Sequence, residues 1–183
     1  EKKKNDFIAQ GSILAIASIL VRVMGMIYRI PMTAIIGDKG NGFYSYAYSV
    51  YTILLLLSSY SLPLAVSKMV SAKAQLGQWR NVKRVFICAI AFAIGIGTTF
   101  GLIVLIGAQF FTRVFFHSEL AAIALRFMAP TILIMALLGV FRGFFQGLQN
   151  TLPTAVSQIV EGLINAIMSV VFAYFLFDFG HGM

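Results

Sequence analysis

Polar and basic stretches divide this chain into five apolar runs, at about 7–36, 43–66, 85–110, 120–145 and 153–177. Each is at least as long as the roughly 20 residues that a helix rising 1.5 Å per residue needs to cross bilayer hydrocarbon. Water is absent at that depth, so each segment must satisfy its own backbone groups, and runs of this length do so as helices. The fold class expected is therefore all-α, a polytopic transmembrane helix bundle with five spans. Composition agrees. Of 183 residues, 60% are hydrophobic and 11% charged, against about 45–50% and about 25% in a soluble domain.

The net charge of +8 would point to nucleic acid in a soluble protein, but here the positives cluster at the ends of the runs. Lys2–Lys4 precede the first run, and the segment 67–84 carries Lys68, Lys73, Arg80, Lys83 and Arg84 without an acid. The stretches 37–42 and 111–119 and the region after Asp178 are nearly balanced. Basic residues collect on the cytoplasmic side of membrane proteins. That rule puts the amino terminus and a basic loop at 67–84 in the cytoplasm, in a multi-pass protein of the cytoplasmic membrane, and all five spans alternate consistently. Val66, Met69, Val70, Leu76 and Trp79 give the loop an apolar face, so part of it is expected along the membrane surface. No nucleic-acid-binding motif accompanies the charge.

The start could be mistaken for a secretory signal. Signal cores are only about 7–15 residues long, whereas the first run is much longer and holds two arginines. It reads as a retained span, and 1–183 reads as part of a longer protein, an amino-terminal transmembrane lobe.

Those arginines are the chemistry of the first run. Arg22 and Arg29 are seven residues apart and share a helical face with Ser18, Gly25 and Thr33. A cation near the bilayer centre costs about 2.5–3.5 kcal/mol on insertion scales, so two on one face imply a use. A stripe lining a water-filled cavity for an anion is the functional reading. A guanidinium keeps its charge and binds phosphate or carboxylate through a fork of donors. The fifth run carries a complementary stripe, Thr154, Gln158, Glu161, Asn165 and Ser169. Glu161 is the only acid well inside any run, and it is expected either to pair with Arg22 as an interhelical contact or to serve as a coupling-ion site. Ser18, Gly25, Gln158 and Asn165 are the further cavity-lining candidates.

Catalytic and metal sites are not indicated. No His, Cys, Asp or Glu cluster has metal spacing, and no nucleophile or phosphate-loop motif appears. Cys88 lies in an apolar run and reads as a small hydrophobe. His117 stands alone in a loop. Tyr44, Tyr48 and Tyr51 follow helical spacing and read as an interfacial belt. Gly97 with Gly101, and Gly139, Gly143 and Gly147, form small-residue ladders that invite close approach of another helix. Pro31, Pro63 and Pro130 interrupt spans 1, 2 and 4, and Pro153 sits where a helix begins.

Three stretches carry a family likeness: FRGFFQGLQNTLPTAVSQIVEG from Phe141, RVMGMIYRIP from Arg22, and YSYAYSVYTILLLL followed by LPLAVSK. They resemble the flippases of lipid-linked oligosaccharides and polysaccharides. These belong to the superfamily that also holds the multidrug and toxin extruders, and the likeness is greatest to the branch of stage V sporulation protein B and the Gram-positive lipid II flippases. The resemblance implies a multidrug-and-toxin-extruder-like fold of two lobes, completed here by a carboxy-terminal lobe. It implies alternating-access transport of an undecaprenyl-pyrophosphate-linked glycan for peptidoglycan, polysaccharide or spore-envelope assembly, without covalent chemistry. The partners implied are the lipid-linked anionic glycan and the bilayer. No cofactor is implied, and a sodium ion, a proton or the membrane potential would drive the cycle. The resemblance places an essential arginine at Arg22 and a second at Tyr28, one residue before Arg29. An acidic residue expected early in span 2 has no counterpart in GFYSYAYS, which favours a general glycan-lipid substrate over lipid II alone. A drug–cation antiporter coupled through Glu161 and a membrane scaffold in wall assembly stay open as alternatives.

Overall fold

The computed structural model describes residues 2–59, 61–116 and 120–181, and all its regular elements are α-helices. They are α1 (Lys2–Ser59), α2 (Leu62–Gln75), α3 (Trp79–Phe116), α4 (Leu120–Gly147) and α5 (Leu152–His181). Among the described residues, four stretches are long and apolar enough to cross a membrane: Gly11–Ile35, Trp79–Val114, Leu125–Gly147 and Leu152–Val171. The chain is a multi-pass membrane protein. His117 and Glu119, expected in a connecting loop, lie outside the described residues.

The structure redraws three expected boundaries. α1 is two helices joined at Gly37, whose backbone (φ 72, ψ 175) lies in a region open essentially to glycine alone. The expected six-residue turn at 37–42 thus shrinks to one residue. α1 stays helical through Pro31, because a membrane helix tolerates the one backbone bond that proline removes. The second run does not continue to residue 66. Its helix ends at Ser59, and α2 starts at Leu62 with Pro63 in its first turn, where a missing N–H breaks no bond.

The basic segment 67–84 is consequently not a loop. It comprises the rest of α2, a tight turn and the start of α3. The turn is a Schellman motif: the Gln78 N–H donates to the Lys73 carbonyl and the Gly77 N–H to that of Ala74, each at 3.0 Å. Gly77 has the left-handed φ of 67 that this cap demands. Leu62, Val66 and Val70, four residues apart, form the buried face of α2.

The chain forms two compact units, Gly42–Gln149 and a pairing of Glu1–Asn41 with Asn150–Met183. In the first, one core joins Ala47, Val50 and Tyr51 of α1 to Val104 and Ala108 of α3 and Leu125, Ala129 and Ile132 of α4. A second joins Leu62, Val66 and Val70 of α2 to Val82 and Ala93 of α3 and Ala136 and Val140 of α4. The glycine ladders explain how the helices come so close. A methyl group at Gly143 would lie 2.5 Å from the Pro63 carbonyl oxygen, and one at Gly147 would lie 2.7 Å from that of Ser67. One at Gly97 would lie 2.9 Å from Cα of Leu133. In lipid, such backbone contact replaces the hydrophobic drive that joins helices in water.

Tyr51 departs from the belt expected of the three tyrosines. It is buried, and its hydroxyl accepts a hydrogen bond from Thr131 Oγ1 at 3.2 Å. Tyr48, stacked 5.8 Å from Tyr44, is exposed as an interfacial residue would be.

The other unit is the first half of α1 with α5. α5 begins as expected, the Thr151 carbonyl accepting from the Ala155 N–H at 3.0 Å, with Pro153 in the first turn.

Candidate functional site

The two polar stripes belong to the same unit, on helices that touch. Gly162 of α5 is the meeting point. A methyl group there would lie 3.3 Å from Cγ1 of Val21 and from Cε of Met24. Ala17 and Tyr28 extend this line along α1, Ala17 buried and Tyr28 half-buried. The line 17, 21, 24, 28 is thus the less exposed face of the arginine helix, and a glycine on α5 allows the approach.

Arg22 is next in sequence to Val21, about 100° around the helix from it. It is exposed, as is Arg29. Ser18, Gly25 and Thr33 on the same stripe are half-buried, and a methyl group at Gly25 would meet nothing within 4 Å. The stripe is therefore an open flank beside the contact, with room along it for something to lie against. Thr33 turns its hydroxyl back to the Arg29 and Ile30 carbonyls, 2.9 Å each, so it presents no free donor.

Depth is the decisive geometry. Arg22 lies eleven residues after Gly11 and thirteen before Ile35, at the middle of the first candidate span. Glu161 lies nine residues after Leu152, where the last candidate span begins, within an apolar run that continues to about residue 177. Because Val21 and Met24 seat on Gly162, the backbones bearing Arg22 and Glu161 are at one level. Arg29 is about 10 Å further along the helix, at 1.5 Å per residue.

On α5 the stripe changes character along its length. Thr154 is 1% exposed, and its hydroxyl oxygen, like Oε1 of the half-buried Gln158 one turn later, has no hydrogen-bond partner in the structure. Glu161 is half-buried, and Asn165 is exposed and accepts from the Ser169 hydroxyl at 3.1 Å. Buried polar atoms are normally satisfied, so among the described residues of this helix Thr154 and Gln158 carry buried oxygens with capacity left for a ligand. Among the described residues, no group of three or more His, Cys, Asp or Glu could hold a metal ion.

The structure thus seats Val21, next to Arg22, and Met24 against Gly162, next to Glu161, and leaves Arg29 about 10 Å further along the helix. The sequence did not reveal the packing line Ala17–Val21–Met24–Tyr28. Its signal was available, since the small Gly162 follows Glu161 directly, but it is lost among so many apolar residues. Tyr28 continues the packing face, and Arg29 continues the stripe of Arg22.

Comparison with known proteins adds identity to this geometry. The chain is 27% identical over 163 residues to "Lipid II flippase MurJ" of Bacillus subtilis (strain 168), covering 85% of this chain and 30% of that protein. It is 25% identical over 177 residues to "Stage V sporulation protein B" of the same organism, covering 97% and 34%. An uncharacterized membrane protein, YabM, is 26% identical over 174 residues, covering 94% and 32%. The chain spans about a third of the length of the curated relatives it matches. No solved structure matches it. The family model described as "Polysaccharide biosynthesis protein" matches residues 7–179, nearly the whole chain, and to that family this chain belongs.

Proposed function

We propose that this chain is the amino-terminal part of a flippase for a polyprenyl-pyrophosphate-linked glycan precursor, lipid II or a similar molecule. Alternating access would carry the headgroup across the cytoplasmic membrane for peptidoglycan or polysaccharide assembly. The observation that carries the reading is Arg22 at mid-span, on an open flank, level with Glu161 on a touching helix. The names of the two relatives, a lipid II flippase and a sporulation protein, support the substrate class.

In this mechanism Arg22 receives the pyrophosphate through its guanidinium fork, and Arg29 offers a second contact as the group moves along the stripe. Glu161 holds Arg22 when the cavity is empty, so that neither charge is left alone in a low dielectric. It releases the arginine when substrate phosphate competes, or when a sodium ion or proton takes its charge. The Thr154 hydroxyl and the Gln158 carbonyl oxygen are available to donors on the sugar or to a coupling ion. No bond in the cargo is made or broken, so the activity is transport and not catalysis. The carboxy-terminal lobe of the full-length protein would supply the opposite wall.

The test is complementation of a flippase-depleted strain by the full-length protein. Arg22→Ala is expected to fail while reaching the membrane at the normal level. Substrate binding should fall about tenfold or more, since a hydrogen bond to a charged group is worth about 1.5–3 kcal/mol. Rescue equal to that by the unmodified protein would sink the proposal.

A further inference from the structure

The hairpin of α2 and α3 encloses a groove that the arginine stripe does not use. It has a volume of about 660 Å³. Its walls are apolar, from Val66 and Met69 on α2 and Val85 and Phe92 on α3. Its polar residues sit at one end only, where Lys73, Asn81 and Arg84 flank the turn between the helices. Arg84 and Phe92 are eight residues apart, so the apolar part extends about 12 Å below the charged end.

Among the described residues of its own unit, the charged end has no acid as a counter-charge. Between Asp38 and Glu119 there is no aspartate or glutamate. The first turn of α3 contains no acid either, although a helix amino terminus favours one. Arg80, Lys83 and Arg84 stack further positive charge on it. Lys73 is half-buried and fixed in place by the Schellman turn that begins at its own carbonyl. Asn81 is oriented by a bond from its amide nitrogen to Gln78 Oε1 at 2.9 Å. Trp79, 63% exposed beside the turn, is the residue type that settles at the headgroup level.

A ligand complementary to this shape has hydrocarbon at one end and an anion at the other. We propose that the α2–α3 groove holds one anionic phospholipid of the surrounding membrane. An acyl chain lies along Val66, Met69, Val85 and Phe92, and the phosphate lies between Lys73 and Arg84. A membrane lipid fits better than the transported glycan lipid because the groove has no polar lining beyond its mouth to receive sugars. Basic segments at the membrane surface attract anionic lipids at about 1 kcal/mol per charge, which orders the choice of lipid. Bound there, the lipid would tie the hairpin to the leaflet at its basic end.

Cys88 lines the same groove and is exposed, which makes it a reporter. The full-length protein in detergent would be alkylated with a maleimide, and the rate at Cys88 read by peptide mapping. Phosphatidylglycerol is expected to slow that rate several-fold more than phosphatidylcholine. Native mass spectrometry should show phosphatidylglycerol retained on the order of tenfold less by Lys73→Gln/Arg84→Gln than by the unmodified protein. Equal protection by the two lipids, or protection by neither, would overturn the proposal. So would protection by a polyprenyl diphosphate where phosphatidylglycerol gives none. The lipid contrast in the unmodified protein stands even if the double variant does not fold, and it does not depend on transport.

Discussion

At the scale of single residues, Tyr51 and Arg22 show how one amino-acid type divides by depth and neighbour. Tyr44, Tyr48 and Tyr51 are indistinguishable in sequence, yet only Tyr51 is both buried and bonded to Thr131 on another helix. Tyr51→Phe is expected to cost about 0.6 kcal/mol, the average for such interhelical bonds in membranes. Thr131→Val should cost about the same, and the double variant no more than either. Unfolding in detergent with a double-mutant cycle checks this; additive losses would show that the bond contributes nothing. The arginines divide similarly. Their shared stripe follows from a seven-residue spacing alone, whereas the contact of their helix with α5 comes from a packing line, Ala17 to Tyr28, that periodicity did not single out.

Among the helices, glycine spacing was the most legible signal. Gly97, Gly143 and Gly147 were expected at close contacts and are found there. Gly143→Val is expected to destabilise the α2–α4 packing by about 3 kcal/mol or more, at the upper end for overpacked cores. Gly95, where an added methyl meets nothing within 4 Å, should instead tolerate alanine or gain up to about 1 kcal/mol from helix propensity. Thermal unfolding of the two variants separates these outcomes. What the sequence hid was α2. Pro63 reads equally as the end of one helix or the first turn of the next, and the span-length rule favoured the former. The spacing of Leu62, Val66 and Val70 crosses the boundary drawn at residue 66. It gives the structure's answer once the 20-residue criterion is set aside. Gly37 was legible as a turn former, but the extent of the turn was not, because Asp38, Gly40, Asn41 and Gly42 are poor helix residues held helical all the same.

For the molecule as a whole, the basic distribution predicts topology. A cysteine placed at Gln78 in the Schellman turn should react with a membrane-impermeant reagent only from the side that holds Lys2–Lys4, the cytoplasmic side by the positive-inside rule. Labelling of intact cells from outside would reverse the orientation. The two compact units also interleave. The helix bearing Arg22 belongs with α5, yet about 110 residues of the other unit separate them in sequence. At roughly 5–20 residues per second, the ribosome needs about 5–20 seconds to deliver α5 after the first helix has emerged. During that interval the arginine helix must enter the membrane, or wait beside the insertion machinery, without the neighbour that carries Glu161. Order of synthesis and order of assembly are therefore different here: the helix that carries Arg22 is made before the other unit and meets α5 only after it.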